Sequence, residues 1–180
     1  MAAIRPEEAV AMPVTRLNHA VLYVRDLARS VAFYREALGF SVKVEIPGRA
    51  AFLQAGMSTN DHDLGIFAVG DDASPSAAGR GSVGLYHLAW EVDTLDELER
   101  IQGELASRDA LVGATDHGTT KAVYGHDPDG LEFEVCWLVP ADLLTDDIQM
   151  TTRPLDLAAE KERYGARTRG GIGISFPATV

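Results

Sequence analysis

A repeat constrains this chain more than any other feature. The segment His19-Ala-Val-Leu-Tyr-Val24 is matched 68 positions later by His87-Leu-Ala-Trp-Glu-Val92, and the same step carries Leu27 to Leu95. Each segment is short, rich in apolar residues and opens on a histidine. Side chains alternate across a strand, so His19, Val21 and Tyr23 share one face, and His87, Ala89 and Glu91 share the equivalent face. Self-similarity at a fixed step predicts one supersecondary unit used twice, each copy needing the other to bury its apolar side.

The residues after each segment support that reading. Downstream of the first, Asp26 is placed to cap a helix whose Leu27, Val31, Tyr34 and Leu38 lie on one face, and Gly39 suits a left-handed end. Downstream of the second, Thr94 and Glu97 have capping-box spacing, and Leu95, Leu98, Ile101 and Leu105 form a buried stripe. Each helix gives way to three strand-like segments, at 41–46, 50–55 and 63–69 in the first copy and 111–115, 121–126 and 131–138 in the second. Asp127-Pro-Asp-Gly130 reads as a tight turn before the last strand. Both copies therefore read βαβββ, giving an α+β fold of two tandem modules that form one open barrel. The predicted organisation is an N-terminal arm at 1–15, a paired domain at 16–138 with modules near 16–70 and 84–138, and an extension at 139–180. Residues 70–84 read as a linker rich in Gly, Ala, Ser and Asp, and 155–164 as a short helix.

Composition narrows the function classes. With a formal net charge of −11 the chain is a poor candidate for tracking phosphates, so no nucleic-acid partner is expected. No run of 18 apolar residues or secretory leader is present, so no membrane partner is expected. One cysteine, Cys136, rules out an internal disulfide framework and fits a reducing, cytoplasmic setting. A metal site would have to be built from histidine and carboxylate.

Those residues are present in register. A lone strand histidine is ordinarily a hydrogen-bonded structural residue, but His19 and His87 recur at equivalent positions. In the last strand Glu132 and Glu134 share a face, and Glu134 lies between Phe133 and Val135, where an unpaired buried carboxylate would be costly. A metal would satisfy it, and so would an arginine; Glu132 could serve in its place. Two His and one carboxylate suit non-haem Fe(II), and also Mn(II) or Zn(II), with positions left open for substrate. Subtracting the repeat step from 134 gives Ile66, so no fourth carboxylate is expected. His62 and His126, each beside an Asp, read as surface turn residues.

The segment Asn18-His-Ala-Val-Leu-Tyr-Val-Arg-Asp-Leu27, with Ser30, Phe33-Tyr34 and Leu38-Gly39, resembles the opening of vicinal oxygen chelate proteins (the glyoxalase, bleomycin resistance and extradiol dioxygenase superfamily). Asp127-Pro-Asp-Gly-Leu-Glu-Phe-Glu134 resembles that superfamily's closing turn and ligand strand, although Leu131 stands where Asn is common. Asp116-His-Gly118, Val123-Tyr-Gly-His-Asp-Pro128 and the tail Met150-Thr-Thr-Arg-Pro-Leu-Asp-Leu157 resemble catechol 2,3-dioxygenase-like extradiol enzymes. The resemblance implies metal ligands His19, His87 and Glu134, catalytic residues His117 and Tyr124, Fe(II) or another divalent metal as cofactor, and a homodimer. It further implies O₂-dependent ring cleavage of a small aromatic diol. Many such enzymes carry an acid–base His before the second His ligand, whereas residues 63–86 contain no His. Either His117 moves protons alone, or the scaffold serves another reaction: a glyoxalase-like isomerase or lyase acting through an enolate, or an aromatic-ligand-binding resistance protein.

Overall fold

The computed structural model describes residues 14, 16–79, 81–145 and 148–171; the rest of the N-terminal arm and the end of the extension lie outside them. The first module comprises β1 (Ala20–Val24), α1 (Leu27–Leu38), β2 (Ser41–Ile46), β3 (Ala50–Gln54) and β4 (Leu64–Ala68). The second comprises β5 (Leu88–Glu91), α2 (Leu95–Ser107), β6 (Leu111–Asp116), β7 (Thr120–His126) and β8 (Glu132–Leu138). The extension adds a 3-10 turn at Ala141–Leu143, then β9 (Arg153–Pro154) and α3 (Leu157–Tyr164). Strand order is β1-β4-β3-β2 in one sheet and β5-β8-β7-β6-β9 in the other. β1 runs parallel to β4, and β5 parallel to β8. Both modules are therefore βαβββ units, and their sheets stay separate among the described residues, without closing a barrel.

The caps form as the sequence requires. Asp26 accepts from the Arg29 N–H, and Gly39 ends α1 at φ 77°. Thr94 accepts from the Glu97 N–H to start α2. Element ends move where side chains take up the backbone. Asp63 is outside β4 because its carboxylate accepts from the Ala55 N–H, Ser58 and Asn60. The expected helix at 155–164 begins at Leu157 because Asp156 caps it and residues 153–154 pair with β6 instead.

Strand pairing corrects one inference from the repeat. Val21 pairs with Gly65, and Ala89 with Glu134, so the counterpart of Glu134 is Gly65 and not Ile66. Ile66 is fully buried on the opposite, core face. The slip arises because α2 has 13 residues and α1 has 12, and the hairpins beyond them also differ in length. A glycine carries no ligand, so the first module still offers no carboxylate there.

One core serves both modules. The Phe33 ring meets Phe133 at 5.9 Å and Phe40 meets Trp90 at 5.1 Å, both edge to face. The turn at 127–130 fastens the modules with polar groups. Asp129, 7% exposed, accepts from the Arg25 N–H at 3.0 Å and from the Arg25 and Arg29 guanidiniums at 3.1 and 3.0 Å. Tyr34 donates to Asp127 at 3.2 Å. Burial raises the Asp127 carboxyl above its usual range, although hydrogen bonds from Leu131, Asp129 and Tyr34 pull it down. Arg25 also donates to the Ala73 carbonyl, tying the linker to the first module. No helix among the described residues is long and apolar enough to cross a membrane.

Candidate active site

The second sheet gathers a polar row on its outer face. Glu134 on β8 lies directly beside Ala89 of β5 and Tyr124 of β7. His87, two positions before Ala89 and so on the same face, brings Nε2 to 3.1 Å from Glu134 Oε2. Both side chains are largely covered, and among the described residues the buried His87 Nδ1 has no hydrogen-bond partner. The His87 ring lies between Tyr86, at 4.6 Å, and Tyr124, at 5.8 Å. The buried Glu134 thus meets an imidazole and not an arginine.

Tyr124 joins that pair to His117. Its hydroxyl is 2.9 Å from His117 Nε2, while His117 Nδ1 is 3.0 Å from the Thr151 carbonyl. His117 comes just after β6, in a hairpin closed by its own N–H donating to the Thr120 carbonyl, with Gly118 at φ 82°. Burial and the negative charge of the neighbouring Glu134 push the Tyr124 hydroxyl up to about 12. It is therefore a proton donor at neutral pH. Burial likewise pushes the Cys136 thiol up to about 12, which leaves it unreactive as a nucleophile.

His19 has different neighbours. It is exposed, its Nδ1 lies 2.7 Å from Asn18 Oδ1, and its ring centroid lies 4.5 Å from that of His62, the planes tilted by 44°. His62 corrects the expectation of a surface turn residue: its side chain is 17% exposed, beside Asp61 at 3.3 Å and edge-on to Phe52. His126 is exposed as expected, but ends β7 opposite Glu132. Among the described residues no three His, Cys, Asp or Glu side chains gather closely enough to hold a metal ion. His87 and Glu134 fit a divalent metal by donor chemistry, and the buried His87 Nδ1 is a polar atom left unpartnered among the described residues. The third donor is not assembled beside them.

A cavity of about 1080 Å³ lies between the modules, lined by Leu22, Tyr34, Leu88, Trp90, Glu132 and Phe133 among others. None of His87, His117, Tyr124 or Glu134 lines it. Its strand residues Leu88 and Trp90 alternate with His87 and Ala89, so it opens on the other face of β5. The polar row therefore lies outside this cavity. Sequence reasoning missed two contributors. One is Thr151, which acts through a backbone carbonyl and leaves no side-chain signal. The other is Lys121, 1% exposed, which pairs with Asp116 at 2.5 Å and Glu160 at 2.9 Å. Its place on the inward side of an apolar strand was the available sign.

Comparison with known proteins agrees with this architecture. The chain is 28% identical over 156 residues to a protein of Bacillus subtilis (strain 168) named Catechol-2,3-dioxygenase, covering 84% of this chain and 53% of that one. It is 29% identical over 125 residues to Metapyrocatechase 2 of Cupriavidus necator, covering 69% and 34%. The chain thus spans about half or less of the length of these relatives. The solved structure of Lactoylglutathione lyase from Agrobacterium tumefaciens superposes with a TM-score of 0.50 at 25% identity, over 69% of this chain and 94% of that one. The model of the Glyoxalase/Bleomycin resistance protein/Dioxygenase superfamily matches residues 16–135, which span both βαβββ modules from the first histidine to the Glu134 strand. It is to this superfamily that the chain belongs.

Proposed function

We propose that the protein is a non-haem Fe(II) extradiol dioxygenase that opens the ring of a catecholic aromatic. The observation that carries this reading is the hydrogen-bonded Tyr124–His117 pair set beside the His87–Glu134 pair. Redox-neutral ligand binding has no need of a protonated phenol and an imidazole aligned next to a metal-type donor set. The two dioxygenase relatives support the same reading. His87 and Glu134 would hold the metal; His19, the third ligand that the resemblance implies, stands apart from them beside Asn18 and His62 and would have to be brought to the pair. When bound, Fe(II) would supply the redox chemistry that O₂ requires, and Mn(II) is the alternative.

The residues of the chain handle protons and orientation. A catecholic diol must lose protons, and Tyr124 can take one at its oxygen as it passes its own to His117 Nε2. Holding that relay in one geometry across adjacent strands limits the reorganisation each turnover requires. Residues 63–86 contain no His, so His117 carries this task alone.

The test is oxygen uptake by anaerobically purified, Fe(II)-reconstituted protein offered a panel of catechols, with His87→Ala and Glu134→Ala as controls. Stoichiometric uptake with a ring-opened product, lost in both variants, is expected. Absence of uptake across the panel with iron demonstrably bound would sink the reading. The missing histidine and the likeness to a lactoylglutathione lyase favour a second reading, an isomerase or lyase acting through an enolate. That activity would persist without O₂ and with Zn(II), Ni(II) or Co(II).

A further inference from the structure

We propose that Thr151, in the C-terminal extension, is a positioning residue whose carbonyl fixes the tautomer of His117, so that His117 Nε2 accepts the Tyr124 proton. The proposal rests on the reading of His117 and Tyr124 as the proton-handling pair. A backbone carbonyl only accepts, so the 3.0 Å contact to His117 Nδ1 requires the proton on Nδ1. A neutral imidazole has one N–H, which leaves Nε2 bare, and the 2.9 Å contact is then donated by the Tyr124 hydroxyl. Free imidazole side chains in water favour the opposite tautomer. Without Thr151, Nε2 would tend to carry the proton and would compete with Tyr124 as a donor, so the relay would start in the wrong direction.

The fold holds Thr151 firmly for this task. Its N–H donates back to the His117 carbonyl at 3.3 Å, so the two residues are joined through both backbone and ring. β9 pairs with β6 at Asp116–Arg153 and Thr115–Pro154, and the Leu155 N–H reaches the Ala114 carbonyl. Gly118 lets the chain come close, because a Cβ there would overlap the Gln149 carbonyl oxygen. Lys121 completes the fastening. Fully buried, it joins Asp116 beside the hairpin to Glu160 of α3 and lies 5.6 Å from the Tyr164 ring. Asp116 in turn accepts from the Gly118 N–H at 2.7 Å. Burial would raise the Asp116 carboxyl, but Lys121, Gly118 and Arg153 bring it below its ordinary range, so it stays ionised and keeps the clamp closed. The extension and the His117 hairpin thus form one hydrogen-bonded unit.

The experiment reads the tautomer directly in the full-length, metal-free protein, by long-range ¹⁵N–¹H correlation of the His117 ring. The wild type is expected to show a protonated Nδ1 and a bare Nε2. Replacing Thr152 by its α-hydroxy-acid analogue converts the Thr151 carbonyl from an amide to an ester, a weaker acceptor, with every side chain unchanged. Gly118→Ala displaces the Gln149 carbonyl by sterics. Both are expected to mix the tautomers and to lower turnover by about 10- to 100-fold, the usual cost of losing an orienting partner. Should Gly118→Ala fail to fold, the ester variant alone decides. A wild-type ring protonated on Nε2, or an ester variant with an unchanged tautomer, would overturn the proposal. A fixed tautomer with no oxygen uptake from any catechol would retain the positioning role and overturn the dioxygenase reading instead.

Discussion

The two modules share a backbone and differ in one row of side chains. Across the second sheet the outward row is Ala89, Glu134, Tyr124 and Gly113. Across the first, the same row is Val21, Gly65, Phe52 and Val44. Even the register shift recurs, between Val42 and Val44 in one sheet and Leu111 and Gly113 in the other. Strand pairing and core packing act on the backbone and the inward face, so both modules must satisfy them alike. The outward row is released from that constraint. In one copy the strand row is apolar, with Val21 and Val44 about half exposed and His19 and His62 in the flanking segments, while in the other it carries a carboxylate and a phenol, flanked by His87 and His117. A duplicated scaffold can thus keep its fold while a single row sets its chemistry.

Substitutions at matching positions can break or sharpen this comparison. The largest difference is expected for the proposed metal donors. Glu134→Ala and His87→Ala should each lower oxygen uptake and Fe(II) binding by more than about 100-fold, beyond the usual loss for an outer-shell partner. Gly65→Ala in the first module should change neither, because a methyl there meets Val21 at 3.4 Å and Phe52 at 3.7 Å, ordinary contacts. Metal titration and oxygen electrode measurements compare them. If Gly65→Ala proves as damaging as Glu134→Ala, the rows are not functionally distinct.

Next comes the phenol. Tyr124→Phe should lower kcat by about 10²- to 10⁴-fold, the usual range for a proton-transferring group, with Fe(II) affinity little changed. Its counterpart Phe52→Tyr should leave steady-state kinetics as they are. The contrast fails if Tyr124→Phe turns over normally.

The joint between the modules comes third. Asp129→Ala leaves two arginines and a backbone N–H without their acceptor, and should cost about 2–3 kcal/mol in urea unfolding, in the range of charge-assisted hydrogen bonds. Because the turn fastens one module to the other, a broadened or split transition is expected as well. A single sharp transition of wild-type midpoint would show that the apolar core alone holds the modules together.

The smallest effect concerns pH. The folded-state pKa of Asp127 is raised above its ordinary value near 3.8, chiefly by burial. Its contribution to stability is therefore fully present below that value and is lost as pH rises through the raised one. Asp127→Asn keeps an oxygen for the Asp129 and Leu131 N–H groups and removes the titration. Relative to wild type, it should gain stability, within about 1 kcal/mol, as pH rises through that window and then stay level. Urea midpoints over a pH series measure this, and a parallel offset at every pH would rule it out.

Particular residues show how far the sequence could be read. Asp26, Gly39 and Thr94 announced the helix ends because each cap is completed within four residues of itself. The parity of His87 with Ala89, and of Glu132 with Glu134, was legible for the same reason: alternation along a strand needs no knowledge of its neighbours. The equivalence of Glu134 to position 66 failed because a constant repeat step ignores one added helical residue, and only hydrogen-bonded pairing restores the count. His62 was misread because the partners that cover it, His19 and Phe52, come from other strands or the chain leading into them.

Sequence by itself determined the two βαβββ modules, their caps, and that Glu134 would share a face of the last strand with Glu132. These depend on periods of 2.0 and 3.6 residues and on contacts a few positions apart. Tertiary structure decided the rest: that Asp129 would hold Arg25, 104 residues away, that His117 would face a carbonyl 34 residues along the chain, and that His19 would lie against His62. Such pairs arise from how surfaces pack and which buried polar groups must find partners, and no local pattern records that choice.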